Sequence, residues 1–240
     1  MGVQAVIFDW GGTLTPWHTV DIHVGWRDVA RALDPQGVEE VAGRLLAAES
    51  ALWERTRTEY TGATLDEVFT MAELTVAEDV LARDAVPRLF EFWEPHTHTD
   101  PDVRPMFEGL RERGIKVGVL SNTLWPRAQH ERVFARDGIL ELIDGAVYSS
   151  ELPWAKPHPE AFGAAMRAVG VTDPAAAVYV GDRLFEDVYG AQAAGMRAVH
   201  VPHSAIPAQQ HGHTQGVPDA VIDRISDLLP IIDRWRSVSP

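Results

Sequence analysis

Four separated segments hold the residues able to do chemistry. Asp9 closes the apolar run Val6-Ile7-Phe8 and leads into Trp10-Gly11-Gly12-Thr13-Leu14. Ser121 and Asn122 close the run Val117-Gly118-Val119-Leu120. Lys156 stands in Trp154-Ala155-Lys156-Pro157-His158-Pro159. Asp182 and Asp187 stand in Gly181-Asp182-Arg183-Leu184-Phe185-Glu186-Asp187, straight after Val178-Tyr179-Val180. Open α/β sheets hold their ligands just past the carboxyl ends of the strands. If these strands run parallel, three carboxylates, one hydroxyl and one ammonium share a small volume. Crowded carboxylates repel and resist ionising. A divalent cation relieves that repulsion, and an all-oxygen site suits Mg²⁺ better than Zn²⁺. Taken singly, each segment has a plain structural reading: a turn cap, a loop cation, an exposed helix carboxylate. Their recurrence in one order at strand ends is what points to chemistry.

The elements that must position these residues can be read from the pattern. Short apolar runs at 3–8, 115–120, 146–148, 177–180 and 197–201 suit buried parallel strands. Helical patterns lie between the later ones: Met106 to Arg113, Pro159 to Val169 and Phe185 to Ala194, each closed by a glycine. Strand alternating with helix predicts a doubly wound parallel sheet. The first connection is too long for a simple crossover. Its content is helical, with Trp26, Val29, Ala30 and Leu33, then Val38, Val41, Leu45, Leu52 and Trp53, at helical spacing. Thr64-Leu65-Asp66-Glu67 and Thr75-Val76-Ala77-Glu78 match capping boxes. Residues 17–97 therefore read as an inserted helical domain, and 1–16 with 98–240 as the α/β core. Pro95 to Pro105 is the expected return hinge. His203 to Pro218 reads as a loop and Val221 to Trp235 as a final helix.

Composition narrows the field. The 240 residues carry a formal net charge of −14, which disfavours non-specific nucleic-acid binding. There is no cysteine, which excludes disulfides, thiolate metal sites and a cysteine nucleophile and fits a cytoplasmic protein. No apolar stretch reaches membrane-spanning length, and no signal-peptide pattern opens the chain. Of 21 basic residues only Lys116 and Lys156 are lysines. In a chain that otherwise uses arginine, a retained lysine points to a need for a compact ammonium. Lys116 reads as an exposed strand start; Lys156 does not.

In order and spacing the four segments resemble the haloacid dehalogenase (HAD) superfamily, and the inserted helical segment resembles its type 1 cap. The resemblance implies an α/β fold, a HAD-like Rossmannoid parallel sheet with an inserted helical cap domain. It implies that Asp9 is the nucleophile and forms an aspartyl-phosphate, one difficult transfer being split into two easier ones. It implies Mg²⁺ held by the Asp9 carboxylate, the Gly11 carbonyl and Asp182, with Asp187 orienting the metal's waters or Lys156. Ser121 would bond a phosphoryl oxygen, and Lys156 would neutralise the nucleophile and the transferring group. Backbone N–H groups around Trp10, Gly11 and Asn122 would help to hold the phosphoryl oxygens. The expected partner is a small phosphorylated molecule, with no nucleic acid and no membrane.

The chain departs from the family at one position. Superfamily phosphatases usually have a second aspartate two residues after the nucleophile, acting as acid and then base; here that residue is Gly11. Such acid–base help is worth about 10²–10⁴-fold in rate. His18, His23, His96 and His98 flank the expected hinges and offer substitutes. Phosphonoacetaldehyde hydrolases need a cap lysine, and no lysine lies between residues 17 and 115. L-2-haloacid dehalogenases need no metal, but have an aromatic residue where Gly11 stands and lack the Gly181-Asp182 type of start. The reading is a Mg²⁺-dependent phosphatase. A haloacid dehalogenase-like hydrolase and a ligand-binding protein of the same fold stand as alternatives. Trp10, Trp17, Trp125 and Trp154 flank the motifs; if two or more line the cleft, the substrate's organic part is flat or apolar.

Overall fold

A computed structural model describes residues 2–74, 77, 80–202 and 216–237 of the chain. Six segments pair side by side: β1 Ala5–Phe8, β2 Lys116–Ser121, β3 Gly145–Tyr148, β4 Ala177–Gly181, β5 Arg197–His200 and β6 Ala220–Val221. Every pairing is parallel, in the order β3-β2-β1-β4-β5-β6. The chain leaves β1 toward β2 on one side and later returns to β4 on the other, so the strand order reverses beside β1. That switch point opens a crevice at the carboxyl edge.

The central strands β1 and β4, and β2 after Lys116, are buried on both faces, which is why they read as unbroken apolar runs. Val6, Phe8, Val117, Val119, Val178 and Val180 face one core, with Phe107, Leu110, Phe134 and Ile232. Ala5, Ile7, Leu120 and Tyr179 face the other, with Phe162, Ala165 and Val188. The alternation within each strand is the period-two consequence of the pleat.

Helices Ile22–Leu33, Val38–Glu59, Leu65–Met71 and Val86–Trp93 bury a third cluster of their own, built on Trp26, Val29, Leu45, Leu52, Val68 and Leu89. Among the described residues only Leu124 joins it from outside the helical segment. The capping box at Thr64 forms: Thr64 N donates to Glu67 Oε2 at 2.8 Å and Glu67 N to Thr64 Oγ1 at 3.2 Å. The box expected at Thr75 lies outside the described residues, as does most of the loop expected over His203 to Pro218. The outgoing and returning chains run side by side, Asp100 N donating to the Leu14 carbonyl at 2.9 Å.

Two elements differ from expectation. The final helix does not begin at Val221. Ala220 and Val221 pair with β5, Ile222 N donating to His200 O at 3.0 Å, and the helix spans Leu228–Ser237. The open edge of β5 supplies backbone partners that a local pattern cannot show. The helix Arg127–Arg136 has no counterpart in the sequence reading, because only His130, Val133 and Phe134 of it are buried. No helix among the described residues is long and apolar enough to cross a membrane.

Candidate active site

Asp9 sits one residue past β1, and its N–H continues the ladder to Val180 O at 2.9 Å. The backbone beneath the carboxylate is thus fixed by the β1–β4 pairing. Ser121 ends β2, and Asp182 follows Gly181 at the end of β4. The residues that share an edge in the sequence pattern share it in space.

Lys156 is the hub. Its Nζ donates to Asp9 Oδ1 at 2.6 Å, to Asp187 Oδ1 at 2.7 Å and to the Tyr179 hydroxyl at 2.9 Å. An ammonium has three donors, and all three are used. The Asn122 carboxamide holds the Lys156 peptide from both sides, accepting from Lys156 N at 2.8 Å and donating to Lys156 O at 2.9 Å. Asn122 therefore positions Lys156 with its side chain, a job the sequence pattern did not suggest. Lys156 is only 4% exposed. Burial alone would pull its pKa down, but Asp187 and Asp9 hold it well above the usual lysine value.

The three carboxylates meet as expected: one oxygen each of Asp9, Asp182 and Asp187 lie within 4.8 Å of one another. Their partners differ. Asp187 is fully buried; Oδ1 accepts from Lys156 and Oδ2 from Arg183 N at 2.9 Å. Neither oxygen of Asp182 accepts a hydrogen bond. Arg183 Nε stands 3.3 Å from Asp182 Oδ2, outside hydrogen-bond geometry. Burial, and then repulsion from Asp9 and Asp187, holds the Asp182 carboxyl well above its usual range. Burial also pushes Asp9 up to about 6, against the pull of Lys156. A buried carboxylate with an ion pair to Arg183 but no hydrogen bond to either oxygen is costly. Asp182 beside Asp9 is a hard-oxygen donor set that a divalent cation fits. Asp187, each of whose oxygens already accepts one hydrogen bond, anchors Lys156 and belongs to the same carboxylate cluster.

Glycines make the close approaches. Gly12 has φ +87°, and a Cβ there would stand 2.7 Å from Asp182 Oδ2. A Cβ on Gly181 would meet Asp187 Cγ at 2.3 Å. Gly11 is different, for a Cβ there meets nothing within 4 Å. The position that lacks an aspartate has open space where its Cβ would stand.

A cavity of about 630 Å³ opens over these groups, between the sheet edge and the helical segment. Asp9, Gly11, Ser121, Asn122, Lys156 and Asp182 line it; Asp187 stands behind Lys156. Trp10, Trp17 and Trp125 also line it, whereas Trp154 stacks on His158 with ring centroids 4.0 Å apart, outside the lining. His18 and His96 reach the wall, their centroids 5.4 Å apart; His23 and His98 are not among the lining residues. The sequence reading missed four lining or supporting groups: Tyr179, Arg183, Glu186 and Glu49. Tyr179 had a signal, the lone hydroxyl in the apolar run of β4, since a buried tyrosine O–H usually has a partner. It donates to Leu120 O at 2.8 Å.

The family model for haloacid dehalogenase-like hydrolases matches residues 3–195. A glyceraldehyde 3-phosphate phosphatase from Methanopyrus kandleri is 37% identical over 60% of this chain, and the match spans 58% of that protein's length. Phosphatase MT3486 of Mycobacterium tuberculosis is 30% identical over 97% of this chain and 98% of its own. The crystal structure of a HAD phosphatase from Thermococcus onnurineus aligns with a TM-score of 0.69 at 25% identity, covering 98% of this chain and 100% of that one. A 2-haloacid dehalogenase from Pseudomonas syringae aligns with a TM-score of 0.66 at 25% identity, covering 97% and 99%.

Proposed function

The chain belongs to the haloacid dehalogenase-like hydrolase family, and from that premise we propose that it is a Mg²⁺-dependent phosphatase of small phosphorylated molecules. The observation that supports this above all is the Asp182 carboxylate, buried without a hydrogen-bond partner beside Asp9. A metal-independent dehalogenase would have no use for that arrangement. The relatives named phosphatases agree with it.

In this reading the Asp9 carboxylate attacks phosphorus, the bond to the leaving oxygen breaks, and water later attacks the aspartyl-phosphate to release phosphate. Asp9, the Gly11 carbonyl and Asp182 would hold Mg²⁺, which when bound would supply charge neutralisation for the nucleophile and the phosphoryl group. Lys156 holds Asp9 in place before the reaction. As the Asp9 oxygen loses its charge to the new bond, the N–H that pointed at it is freed for a phosphoryl oxygen. Asp187, Tyr179 and Asn122 keep the ammonium from following substrate or drifting. Ser121 and the backbone N–H groups around Trp10, Gly11 and Asn122 bind the remaining phosphoryl oxygens. No aspartate at position 11 protonates the leaving group, so esters with good leaving groups react best. Of the four histidines that could substitute for that aspartate, His18 and His96 line the cavity wall. Residues 17–97 act as the cap over a core of 1–16 and 98–240; the separate apolar cluster of the helices supports that division. Closure of such a cap excludes bulk water and selects the substrate.

Release of phosphate from p-nitrophenyl phosphate, with and without Mg²⁺, tests the reading. Metal-dependent release that Asp9→Asn reduces at least about 10³-fold is expected. An unchanged rate in Asp9→Asn refutes it, and metal-free chloride release from 2-chloropropionate would put a dehalogenase in its place.

A further inference from the structure

The long helix Val38–Glu59 turns one face to the cavity. Leu46, Glu49, Trp53 and Thr56 recur on it at steps of three and four residues. Among the lining residues, Glu49 is the one acidic side chain that the helical segment contributes. Its Oε2 accepts from Trp26 Nε1 at 2.7 Å. Burial pushes its carboxyl up, and the Trp26 and Trp53 indoles draw it back down by hydrogen bonding to the anion.

The arginines of the helices around Glu49 pair with other groups, and Arg57 lines the same cavity two turns along the helix. Arg27 pairs with Glu39, Arg31 with Asp28, Arg55 with Glu67 and Arg57 with Glu54. Arg44 donates to the Glu73 carbonyl at 2.8 Å. No ion pair to Glu49 is found among the described residues, where the Trp26 indole N–H is its hydrogen-bond donor. Trp26, bonded to Glu49, and Trp53, one turn along the same helix, line the cavity with it, while Tyr60, Trp93 and Phe185 line the cavity elsewhere. A partly desolvated carboxylate with aromatic faces beside it attracts an organic cation through Coulomb and cation–π terms together. It repels a second phosphate or a carboxylate, and the aromatic wall offers few partners to a polyhydroxylated sugar.

We propose that Glu49 and the indoles around it form a subsite for an ammonium group, and that the substrate is a phosphate monoester of an amino alcohol. The proposal rests on the phosphatase reading.

The test uses ω-aminoalkyl phosphates of increasing chain length against n-alkyl phosphates of matched length, with Mg²⁺. At one length or more, kcat/KM for the amino ester should exceed that for its partner by about tenfold or more. Glu49→Gln, whose carbonyl still accepts from Trp26, should bring that ratio close to one. Calorimetry with ω-aminoalkyl phosphonates, which are not hydrolysed, should show the same loss in binding. If alkyl esters are hydrolysed as well as amino esters at every length, the subsite is refuted while the phosphatase reading stands. If no phosphate ester is turned over, the phosphatase reading fails. The phosphonate comparison then decides the subsite alone: equal binding of amino and alkyl phosphonates overturns it.

Discussion

The Tyr179 hydroxyl stands 2.9 Å from Lys156 Nζ while giving its own proton to the Leu120 carbonyl at 2.8 Å. Its lone pair is therefore aimed at the ammonium, and β2, β4 and the Lys156 loop are tied at one point. Tyr179→Phe leaves the Leu120 carbonyl and one ammonium N–H without a partner. The expected loss is about 1–3 kcal/mol of stability, read from urea unfolding, with lower turnover because the ammonium is less well held.

Lys156 compensates two buried carboxylates at once. Lys156→Met should cost about 3–5 kcal/mol in unfolding free energy, the usual result of stripping one partner from a buried ion pair. It should also raise the Asp9 pKa further, because the opposing attraction is gone. Carboxyl titration of the metal-free protein by NMR would register that rise.

Position 11 has open space and a backbone outside the left-handed region, unlike Gly12 at φ +87°. Gly11→Asp should fold normally and, if protonation of the leaving group limits turnover, speed alkyl phosphates by up to about 10²–10⁴-fold. Aryl phosphates should gain much less. Gly12→Ala, by contrast, should weaken both folding and metal binding, since its methyl would press on Asp182 Oδ2. Steady-state rates for one alkyl and one aryl ester, with thermal melting, distinguish the two variants.

Asp9 is pushed up to about 6 and Asp182 well above its usual range, in each case by burial first. A cation must displace the protons these carboxyls hold. Mg²⁺ affinity should therefore weaken as pH falls through about 6, with proton release on binding. Calorimetry in two buffers of different ionisation enthalpy measures both quantities. Affinity that does not change between pH 5 and 7 would contradict it.

His130 is fully buried, its ring stacked on Tyr148 with centroids 4.4 Å apart. Burial, helped by Arg127, pushes its pKa down from 6.5 to about 3. Between those values the unfolded chain binds a proton that the folded protein refuses. The contribution of His130 is complete above pH 6.5 and is lost as pH falls toward 3, by up to about 1.4 kcal/mol per pH unit. His130→Phe should flatten this part of the stability profile relative to the parent protein, as measured by urea unfolding at pH 5 and 7.

What the sequence determined by itself was the set of strand ends and the acids and base placed on them. Asp9, Ser121 and Asp182 were legible because a buried parallel strand is an unbroken apolar run whose end stands out, and Lys156 because it is one of two lysines in an arginine-rich chain. The inserted helices were legible from their spacing and from the Thr64 capping box. Tertiary structure decided the pairings. Asp182 and Asp187 look alike in the sequence, yet one has both oxygens bonded and the other neither. Asn122 serves Lys156 from 34 residues away, and Tyr179 from 23. Val221 became a strand because the edge of β5 offered it hydrogen bonds. Local patterns report what a residue prefers against water. Partners this distant in the chain are set only when the sheet closes, and in a buried site the partner decides whether a carboxylate holds a lysine or waits for a metal.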